Sequence, residues 1–435
     1  MYYQQLKDKI DNRSAVLGVL GLGYVGLPLA VEKAKAGFKV VGFDVQAEKV
    51  KLVNDGHNYI GDVVDSDLKA LTEAGQLTAT TDFSKIADCD CVAICVPTPL
   101  DEHFQPDISY VSSSADQIAK YAHKGMLVVL ESTTYPGTTE EVIMPLLTDK
   151  GFTVGEDVFL AFSPERVDPG NVVYKTKNTP KVVGGVTPKC GELAASIYRS
   201  VLESDVKVVS SPAVAEMEKI LENTFRNINI ALANEMAVLC NRMGISVWEV
   251  IDAAKTKPYG FMAFYPGPGL GGHCIPIDPF YLTWKAREYN YHTRLIESAG
   301  EINTAMPEYC VNRVANMLNE VSKPLRGSKV LMLGVAYKPD IDDMRESPSL
   351  ELAEIFTQKG CVLTYNDPHI PSFKHKGLQM ESVELTDEAL ADADIVVIAT
   401  NHSAYDAKNI VAKSKLVFDT RNLTAGIDAD NLERL

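Results

Sequence analysis

A glycine-rich turn near the N-terminus constrains the fold of this chain more than any other feature. Gly21, Gly23 and Gly26 form the pattern GxGxxG, which follows an apolar segment beginning at Ala15 and opens a helical stretch. In this pattern the first glycine allows a tight turn, the second lets the backbone approach a pyrophosphate, and the third allows close helix–strand packing. Unpaired N–H groups at the start of the helix then bind phosphate. The sequence therefore predicts a dinucleotide site at the first strand of a parallel sheet.

The acidic residue after the next strand indicates which dinucleotide binds. Asp44 ends the segment KVVGFDV, where a carboxylate can accept hydrogen bonds from both ribose hydroxyls. The same carboxylate repels a 2′-phosphate, so we expect NAD rather than NADP, although the motif alone also fits FAD. Further cofactor contacts are expected from Tyr24, Val25 and Lys49.

Short apolar segments alternate with helical segments through the first half of the chain. Because strands separated by helices form parallel sheets covered on both faces, this pattern predicts a doubly wound α/β fold. We predict an NAD-binding Rossmann domain over residues 1–205. Its strand-like segments begin at Ala15, Lys39, Cys91, Met126 and Asp157.

The pattern changes to one long helix after Ser211, with Pro212 suited to the first turn and Gly244 to the end. We predict a central helical and dimerisation domain over residues 206–322, whose long helix joins two Rossmann-like domains. The second of these is predicted over residues 323–435, and its first loop lacks GxGxxG, so no second dinucleotide is expected there. Its strands are predicted to begin at Lys329, Cys361, Asp394 and Lys415.

Composition excludes several classes of function. Lys and Arg number 42 and Asp and Glu 58, giving a formal net charge of −16, which repels a polyphosphate backbone and argues against nucleic-acid binding. No apolar segment is long enough to span a bilayer, and the first residues lack the pattern of a signal peptide. The eight cysteines show no paired CxxC spacing. We therefore expect no metal site, no membrane partner and a reducing, cytoplasmic location.

One cysteine stands in an unusual segment, GGHCIPID. Gly271 and Gly272 let the backbone pass close to a ligand. Pro276 and the helical segment after it suggest that Cys274 sits at a helix N-terminus, which stabilises a thiolate. Asp278 lies about one turn further on. A buried core thiol beside a capping acid explains the segment equally well.

Other polar residues gain meaning only as a group. Lys219 and Asn223 are spaced i,i+4 on the long helix, and such a pair can stabilise an alkoxide and position a water, although it usually lies on a solvated face. Ligands bind at the carboxyl ends of parallel strands, although turn chemistry explains part of the loops found there. The candidates at those strand ends are Pro97, Thr98, Thr133, Glu165 and Arg166.

Taken together, these segments resemble the UDP-glucose/GDP-mannose dehydrogenase family. The motifs follow the family's order over nearly the whole chain: GLGYVGLPLA, VPTP, ESTTYPGTT, SPERVDPG, the Lys219/Asn223 helix, GGHCIPID, GVAYKPDIDDMRESPS and FDTRN. The resemblance implies NAD in the first domain, much of a UDP-sugar in the last, and a dimer contact on the long helix. It also implies a four-electron oxidation of the sugar at C6 to a uronate, for surface polysaccharide precursors.

The resemblance implies residue roles as well. Cys274 matches the nucleophile that forms a thiohemiacetal and then a thioester. By similarity, Lys219 and Asn223 steady the oxyanion and Asp278 and Glu165 handle protons, while Thr133 lies with Glu165 beside the reacting carbon. Substrate binding is assigned to Glu165, Arg166, Lys219, Asn223, Gly271, Lys338 and Arg421, and a further cofactor contact to Arg345.

One position departs from the family's pattern. The UDP-glucose and GDP-mannose branches usually carry Lys where this chain has Ile277, and IPID followed by DPFYLTWKA looks more like the branch acting on UDP-N-acetylhexosamines. We therefore expect UDP-N-acetylglucosamine as substrate, UDP-N-acetylmannosamine second and UDP-glucose third. Two other functions stay open, a single-step NAD hydroxyacid dehydrogenase and a non-catalytic nucleotide-sugar sensor.

Overall fold

The structure is a computed structural model that describes residues 1–61, 63–101, 103, 105–168, 171 and 173–435. It forms two compact units. The first comprises Met1–Glu222 and Trp284–Tyr291, and the second comprises Asn223–Thr283 and His292–Leu435. The division of the chain into three domains stays a prediction.

Helices and strands alternate through both units. The helices are α1 (Tyr2–Asp11), α2 (Gly26–Lys35), α3 (Ala47–Asn54), α4 (Asp65–Glu73), α5 (Ser109–Tyr121), α6 (Met144–Thr148), α7 (Pro188–Val201), α8 (Pro212–Met243), α9 (Val247–Ala254), α10 (Asp278–Ala286), α11 (Arg294–Glu320), α12 (Pro348–Gln358), α13 (Asp387–Asp392) and α14 (Ala407–Lys413). The strands are β1 (Val16–Leu20), β2 (Lys39–Phe43), β3 (Leu77–Thr80), β4 (Cys91–Ile94), β5 (Leu127–Leu130), β6 (Phe159–Phe162), β7 (Lys181–Gly185), β8 (Val206–Val209), β9 (Lys329–Leu333), β10 (Val362–Asn366), β11 (Ser372–His375), β12 (Leu378–Glu381), β13 (Ile395–Ile398), β14 (Val417–Asp419) and β15 (Leu432–Arg434).

The first unit contains a sheet in the order β3-β2-β1-β4-β5-β6-β7-β8. Strands β4, β5 and β6 are buried along their whole length, as expected of central strands covered on both faces. One hydrophobic cluster joins the sheet to α1, α2 and α7, and a second joins its other face to α5 and α6. The predicted α/β fold is confirmed, including all five predicted strands of this unit.

One strand of this sheet runs against its neighbour. β7 pairs antiparallel with β6, and Phe162 lies opposite Gly184. Since β6 ends at Phe162 and β7 begins at Lys181, the first residue of β7 lies at the carboxyl edge of β6. This is the edge at which ligands bind in such sheets.

The second unit contains a parallel sheet in the order β10-β9-β13-β14-β15. Its strands β9, β10, β13 and β14 lie where the sequence predicts them. Helices α11 and α12 pack against this sheet in one hydrophobic cluster, which also includes buried residues of α8 and α9. The prediction of a second Rossmann-like α/β sheet is confirmed.

The two long helices have defined ends, and one of them contains an internal proline. α8 begins at Pro212 and ends just before Gly244. The φ of Gly244 is 70°, the left-handed conformation that glycine often adopts directly after a helix. α11 carries Pro307 in its interior. None of the helices in the described part of the chain is long and apolar enough to cross a membrane.

Candidate active site

The glycine-rich turn has the geometry that its spacing predicts. Gly21 has a φ of 89°, and a Cβ there would lie 2.6 Å from the carbonyl oxygen of Cys95. A Cβ at Gly26 would lie 1.8 Å from the carbonyl oxygen of Gly21, so the turn itself excludes a side chain. A Cβ at Gly23, by contrast, would meet no protein atom within 4 Å. Gly23 therefore keeps open a space that the protein does not fill, and α2 begins at its edge with Gly26.

Asp44 is buried beside this turn. Its Oδ2 accepts a hydrogen bond from the backbone N–H of Leu22 at 3.0 Å, and its Oδ1 accepts one from Gln46 at 2.9 Å. Each carboxylate oxygen keeps a further lone pair for a hydroxyl. The open space at Gly23, the start of α2 and this carboxylate fit the pyrophosphate and ribose of NAD. Nearby, Tyr24 is 45% exposed, Val25 is half-buried, and Lys49 lies half-buried on α3.

The loops after β4 and β5 are joined by hydrogen bonds. Thr98 Oγ1 donates to the carbonyl oxygen of Thr133 at 2.7 Å, and Ser132 Oγ donates to that of Val96 at 2.7 Å. Pro97 is exposed between these two contacts. The structure thus brings together the VPTP and ESTTYPG segments at the carboxyl edge of the sheet, as expected from neighbouring parallel strands.

Glu165 and Lys219 meet after β6. The ammonium group of Lys219 donates to the backbone carbonyl oxygen of Glu165 at 2.6 Å. The carboxylate of Glu165 accepts hydrogen bonds from the backbone N–H groups of Arg166 and Val167, at 2.8 and 2.9 Å. Burial opposes ionisation, but Lys181, these two donors and Lys219 hold the pKa of Glu165 below its usual range. Glu165 is therefore a carboxylate at neutral pH.

A buried charge cluster lies beneath this loop, and the sequence did not reveal it. Lys181 Nζ lies 2.7 Å from Glu131 Oε2 and 3.4 Å from Glu165 Oε2. The hydroxyl of Tyr198 donates to Glu131 Oε1 at 2.5 Å, and Lys33 Nζ lies 3.9 Å from that oxygen. Lys33, Glu131, Lys181 and Tyr198 are almost fully buried, although charged residues are usually exposed. The one available signal was Glu131 at the end of an apolar strand.

Arg166, which is expected to bind substrate, forms ion pairs with acidic side chains of α8. Its Nε donates to Glu222 at 3.2 Å, its Nη2 also contacts Glu222, and Glu218 lies 3.5 Å from Nη2. Burial and the neighbouring Glu222 raise the pKa of Glu218 to about 7. The guanidinium thus has two acidic partners within the first unit.

The second unit contains the GGHCIPID segment, and we call residues 267–277 the nucleophile loop, after the role that the resemblance predicts for Cys274. Cys274 is half-buried, and its carbonyl oxygen accepts hydrogen bonds from the N–H groups of Ile277 and Asp278, at 3.2 and 2.8 Å. Since α10 begins at Asp278, Cys274 lies at the turn that leads into this helix. The backbone of Cys274 is thus near a helix N-terminus, as the sequence predicts.

Asp278 is joined to α8 by one short hydrogen bond. Asn223 Nδ2 donates to Asp278 Oδ2 at 2.6 Å, and both side chains are buried. The structure therefore brings three of the predicted catalytic residues of the second unit, Asn223, Cys274 and Asp278, to one place.

The predicted basic residues of this unit lie against the same loop. Gly272 N–H donates to the carbonyl oxygen of Arg345 at 3.2 Å, and the guanidinium of Arg345 is paired with Asp343 at 2.6 Å. A Cβ at Gly267 would lie 2.4 Å from Arg421 Nη1, so the guanidinium of Arg421 passes close to the backbone. Burial lowers the pKa of Arg421 to about 10.

The segment that contains Lys338 approaches the loop through Tyr337. A Cβ at Gly271 would lie 2.5 Å from Tyr337 Cβ, in the segment AYKPD. Lys338 follows in that segment and is half-buried. His273, which the sequence analysis did not single out, has its pKa lowered by burial and by Arg345. A neutral imidazole therefore stands beside Cys274 in the chain.

The other cysteines are distinct from Cys274. Six of them are buried free thiols, and burial raises the pKa of Cys89 to about 12 and that of Cys310 to about 12. Such thiols are poor nucleophiles. Cys89 and Cys91, which form a CxC sequence, are among these buried free thiols.

Comparisons with known proteins agree over most of the chain. The UDP-glucose/GDP-mannose dehydrogenase family models match in three parts: the NAD binding domain at residues 15–202, the central domain at 213–305 and the UDP binding domain at 331–426.

Individual relatives match along nearly their full lengths. The UDP-N-acetyl-D-glucosamine 6-dehydrogenase of Pseudomonas aeruginosa is 36% identical over 392 residues, covering 90% of this chain and 88% of that protein. The UDP-N-acetyl-D-mannosamine dehydrogenase of Escherichia coli K12 is 38% identical over 412 residues, covering 91% and 95%. The structure of the UDP-D-ManNAc dehydrogenase from Pyrococcus horikoshii superposes with a TM-score of 0.88 at 33% identity, covering 96% of this chain and 98% of that one.

Proposed function

Because the chain belongs to the UDP-glucose/GDP-mannose dehydrogenase family and is an NAD-dependent nucleotide-sugar dehydrogenase, we propose that it oxidises C6 of a UDP-N-acetylhexosamine to the uronate. The preferred substrate in this proposal is UDP-N-acetylglucosamine. The observation that carries it is the nucleophile loop, in which a half-buried Cys274 lies in the turn that leads into α10 and Asp278 is hydrogen-bonded to Asn223.

In the proposed reaction, bound NAD supplies the hydride acceptor for each of two oxidations. The first oxidation removes a hydride from C6 and a proton from its hydroxyl, which gives an aldehyde. The Cys274 thiolate adds to this aldehyde and forms a thiohemiacetal, so the reactive half-oxidised sugar is retained. Loss of a second hydride from C6, accepted by a second molecule of NAD, and of the hydroxyl proton of the thiohemiacetal gives a thioester. Water then hydrolyses this thioester to the carboxylate and frees the thiol.

The proposal gives the remaining groups supporting roles. Asp278, held by Asn223, is suited to exchange protons with the attacking water. Lys219 and Asn223 can donate to the oxyanion that forms when thiolate or water adds to C6. Glu165 is suited to act as a base rather than as an acid, because its pKa lies below the usual range.

The choice of sugar rests on the sequence IPID and on the relatives. Ile277 replaces the lysine usual in the UDP-glucose and GDP-mannose branches. The similar proteins act, by their names, on UDP-N-acetylglucosamine and on UDP-N-acetylmannosamine. UDP-N-acetylmannosamine is therefore the second candidate, and UDP-glucose the third.

A homodimer formed through α8 is part of the proposal. Phe225, Leu232 and Leu239 recur every seven residues on this helix and are 46%, 54% and 47% exposed. Such a row on one helix face, in an otherwise acidic chain, favours a contact with a second copy.

We also place the reaction in the cytoplasm. Cys89, Cys91 and Cys95 are buried free thiols close together in sequence, and free thiols persist in a reducing compartment.

The test is the amount of NADH formed per sugar, measured by absorbance with limiting UDP-N-acetylglucosamine, UDP-N-acetylmannosamine, UDP-glucose or GDP-mannose. We expect two NADH per UDP-N-acetylglucosamine and the highest kcat/KM for that sugar. One NADH per sugar would favour a single-step dehydrogenase, and binding without any NADH would favour a sensor. A higher kcat/KM for UDP-N-acetylmannosamine would reassign the substrate but keep the chemistry.

A further inference from the structure

Three buried asparagines surround the nucleophile loop. Asn227 and Asn234 lie on α8 and Asn303 lies on α11, and their exposed fractions are 2%, 0% and 3%. A side-chain amide offers two donors and an acceptor of two lone pairs, so its burial is tolerated only where the protein supplies partners.

The three amides form a series of hydrogen bonds that begins and ends at the nucleophile loop. Asn234 Oδ1 accepts from the N–H of Gly267 at 2.9 Å, and Asn234 Nδ2 donates to Asn303 Oδ1 at 2.9 Å. Asn303 Nδ2 donates in turn to the carbonyl oxygen of Asn227 at 3.2 Å. Asn227 Nδ2 donates to the carbonyl oxygen of Ile275 at 3.2 Å.

This series of hydrogen bonds ends at two positions of the nucleophile loop. Gly267 is the first residue of the nucleophile loop, and Ile275 directly follows Cys274. The two hydrogen bonds therefore fix the loop at its entry and next to the sulfur-bearing residue, and Asn303 connects the two anchors across two helices.

The middle of the loop passes over the same asparagine. Pro307 lies four residues after Asn303 and has no N–H, so the carbonyl of Asn303 lacks its usual partner within α11. A Cβ at Gly269 would lie 3.4 Å from that carbonyl oxygen and 3.8 Å from Pro307 Cδ. The φ of Gly269 is 140°, which a side chain rarely adopts. The backbone conformation therefore favours glycine at this position, where the loop passes within van der Waals contact of Asn303.

We propose that Asn227, Asn234 and Asn303 are positioning residues that hold the nucleophile loop at both ends and so set the direction from which Cys274 reaches its electrophile. This rests on the proposed function, in which Cys274 is the nucleophile. The asparagines act through the loop backbone and need no contact with the substrate.

The test compares Asn303→Ala with wild type in two measurements. Because misplacing a nucleophile by about 1 Å can cost about 100-fold, we expect kcat to fall about 100-fold while the KM for NAD stays within about twofold. At the same time the loosened loop exposes its sulfur, so we expect iodoacetamide to label Cys274 at least about threefold faster, measured by peptide mass spectrometry without substrate.

Two controls separate positioning from general destabilisation. Cys310, fully buried in the same unit, should stay unlabelled in Asn303→Ala. Asn431→Ala removes an amide that donates to the carbonyls of Val411, in α14, and Ser414, directly after it, and should leave Cys274 labelling and kcat as in wild type. Unchanged kcat and labelling in Asn303→Ala, or labelling of Cys310 in parallel with Cys274, would overturn the proposal.

A double variant tests whether the asparagines act as one connected series of hydrogen bonds. Asn234 and Asn303 act in series, so Asn234→Ala combined with Asn303→Ala should lose no more activity than the worse single variant. Losses that multiply would show independent roles and would contradict the proposal. If Cys274→Ala kept full turnover, the proposed function would fail, whereas the labelling of Cys274 would still report whether the asparagines hold the loop.

Discussion

Among the residues, the two half-buried cysteines allow a matched test of the nucleophile. Cys274→Ala should lower the rate of uronate formation by about three orders of magnitude or more, because an activated nucleophile is lost, while NAD still binds. Cys361→Ala is the control, since Cys361 is also half-buried but donates to the carbonyl of Leu325 in another part of the second unit. Turnover and NAD binding, by fluorescence titration, are the measurements. Wild-type turnover in Cys274→Ala would remove this residue from the mechanism.

Lys181 controls the charge state of Glu165. Since the pKa of Glu165 is depressed in the folded protein, its ionised form stabilises the fold above the usual carboxyl range near 4.5, and this contribution is lost as the pH falls through the lower, folded value. Lys181→Met removes a partner that holds this pKa down, so burial should raise it. We expect the acid limb of the kcat/KM profile to move to higher pH.

The same substitution leaves the buried carboxylate of Glu131 without its closest ammonium group. We therefore expect the free energy of unfolding to fall by about 3 kcal/mol in urea. Lys181→Arg keeps the cation and should restore most of the acid limb. A pH profile of Lys181→Met that superposes on wild type would show that Glu165 is held by its loop alone.

At the scale of elements, two glycines of one turn have opposite roles. A side chain at Gly26 would collide with the carbonyl of Gly21, whereas one at Gly23 would project into open space. Gly26→Ala should therefore lower both the melting temperature and NAD affinity. Gly23→Ala should keep the melting temperature yet weaken NAD binding about tenfold or more, equal to about 1.4 kcal/mol. Calorimetry checks both, and undiminished NAD affinity in Gly23→Ala would place the pyrophosphate elsewhere.

The strands and the glycine turn could be predicted because they depend on local pattern. β1, β2, β4, β5 and β6 are short apolar segments, and GxGxxG follows the first of them. β3, with the sequence LTAT, lacks that apolar character and was not predicted. β7 and β8 were not predicted either. The direction of β7 could not be predicted, because strand direction depends on the connection rather than on the residues.

Residues of the site could be predicted only where they stand in a sequence motif. Cys274, Asp278 and Asn223 stand in motifs, and the structure brings them together within the second unit. Asn303 and Lys181 could not be found in this way, because a lone amide or lysine outside any motif is usually exposed. Their burial follows from tertiary partners that are distant in sequence.

At the scale of the whole molecule, dimerisation through α8 can be tested by introducing one charged side chain on this helix. Leu232→Glu places a carboxylate in the row of exposed apolar residues, and burying it against a second copy would leave it unpaired. We expect the mass measured by light scattering to change from dimer to monomer.

Val362→Glu is the control, because Val362 is 55% exposed and Leu232 is 54% exposed. It lies on β10, away from α8 in the chain, and should leave the dimer intact. A wild-type mass for Leu232→Glu, or a monomer in both variants, would reject α8 as the interface.

The reversed strand β7 makes catalysis more sensitive than folding to a change in chain length. Side chains alternate between the two faces of a strand, so a slip of β7 by one residue would turn the ammonium of Lys181 to the opposite face. Gly184 and Gly185 oppose such a slip, since a Cβ at either would lie 2.1 Å from backbone atoms of Ser211 or Gly191. Because these glycines hold the register, deleting one residue between Lys181 and Gly184 would keep them in place and turn the ammonium of Lys181 to the opposite face, which would leave Glu131 without its closest cation in a protein that can still fold.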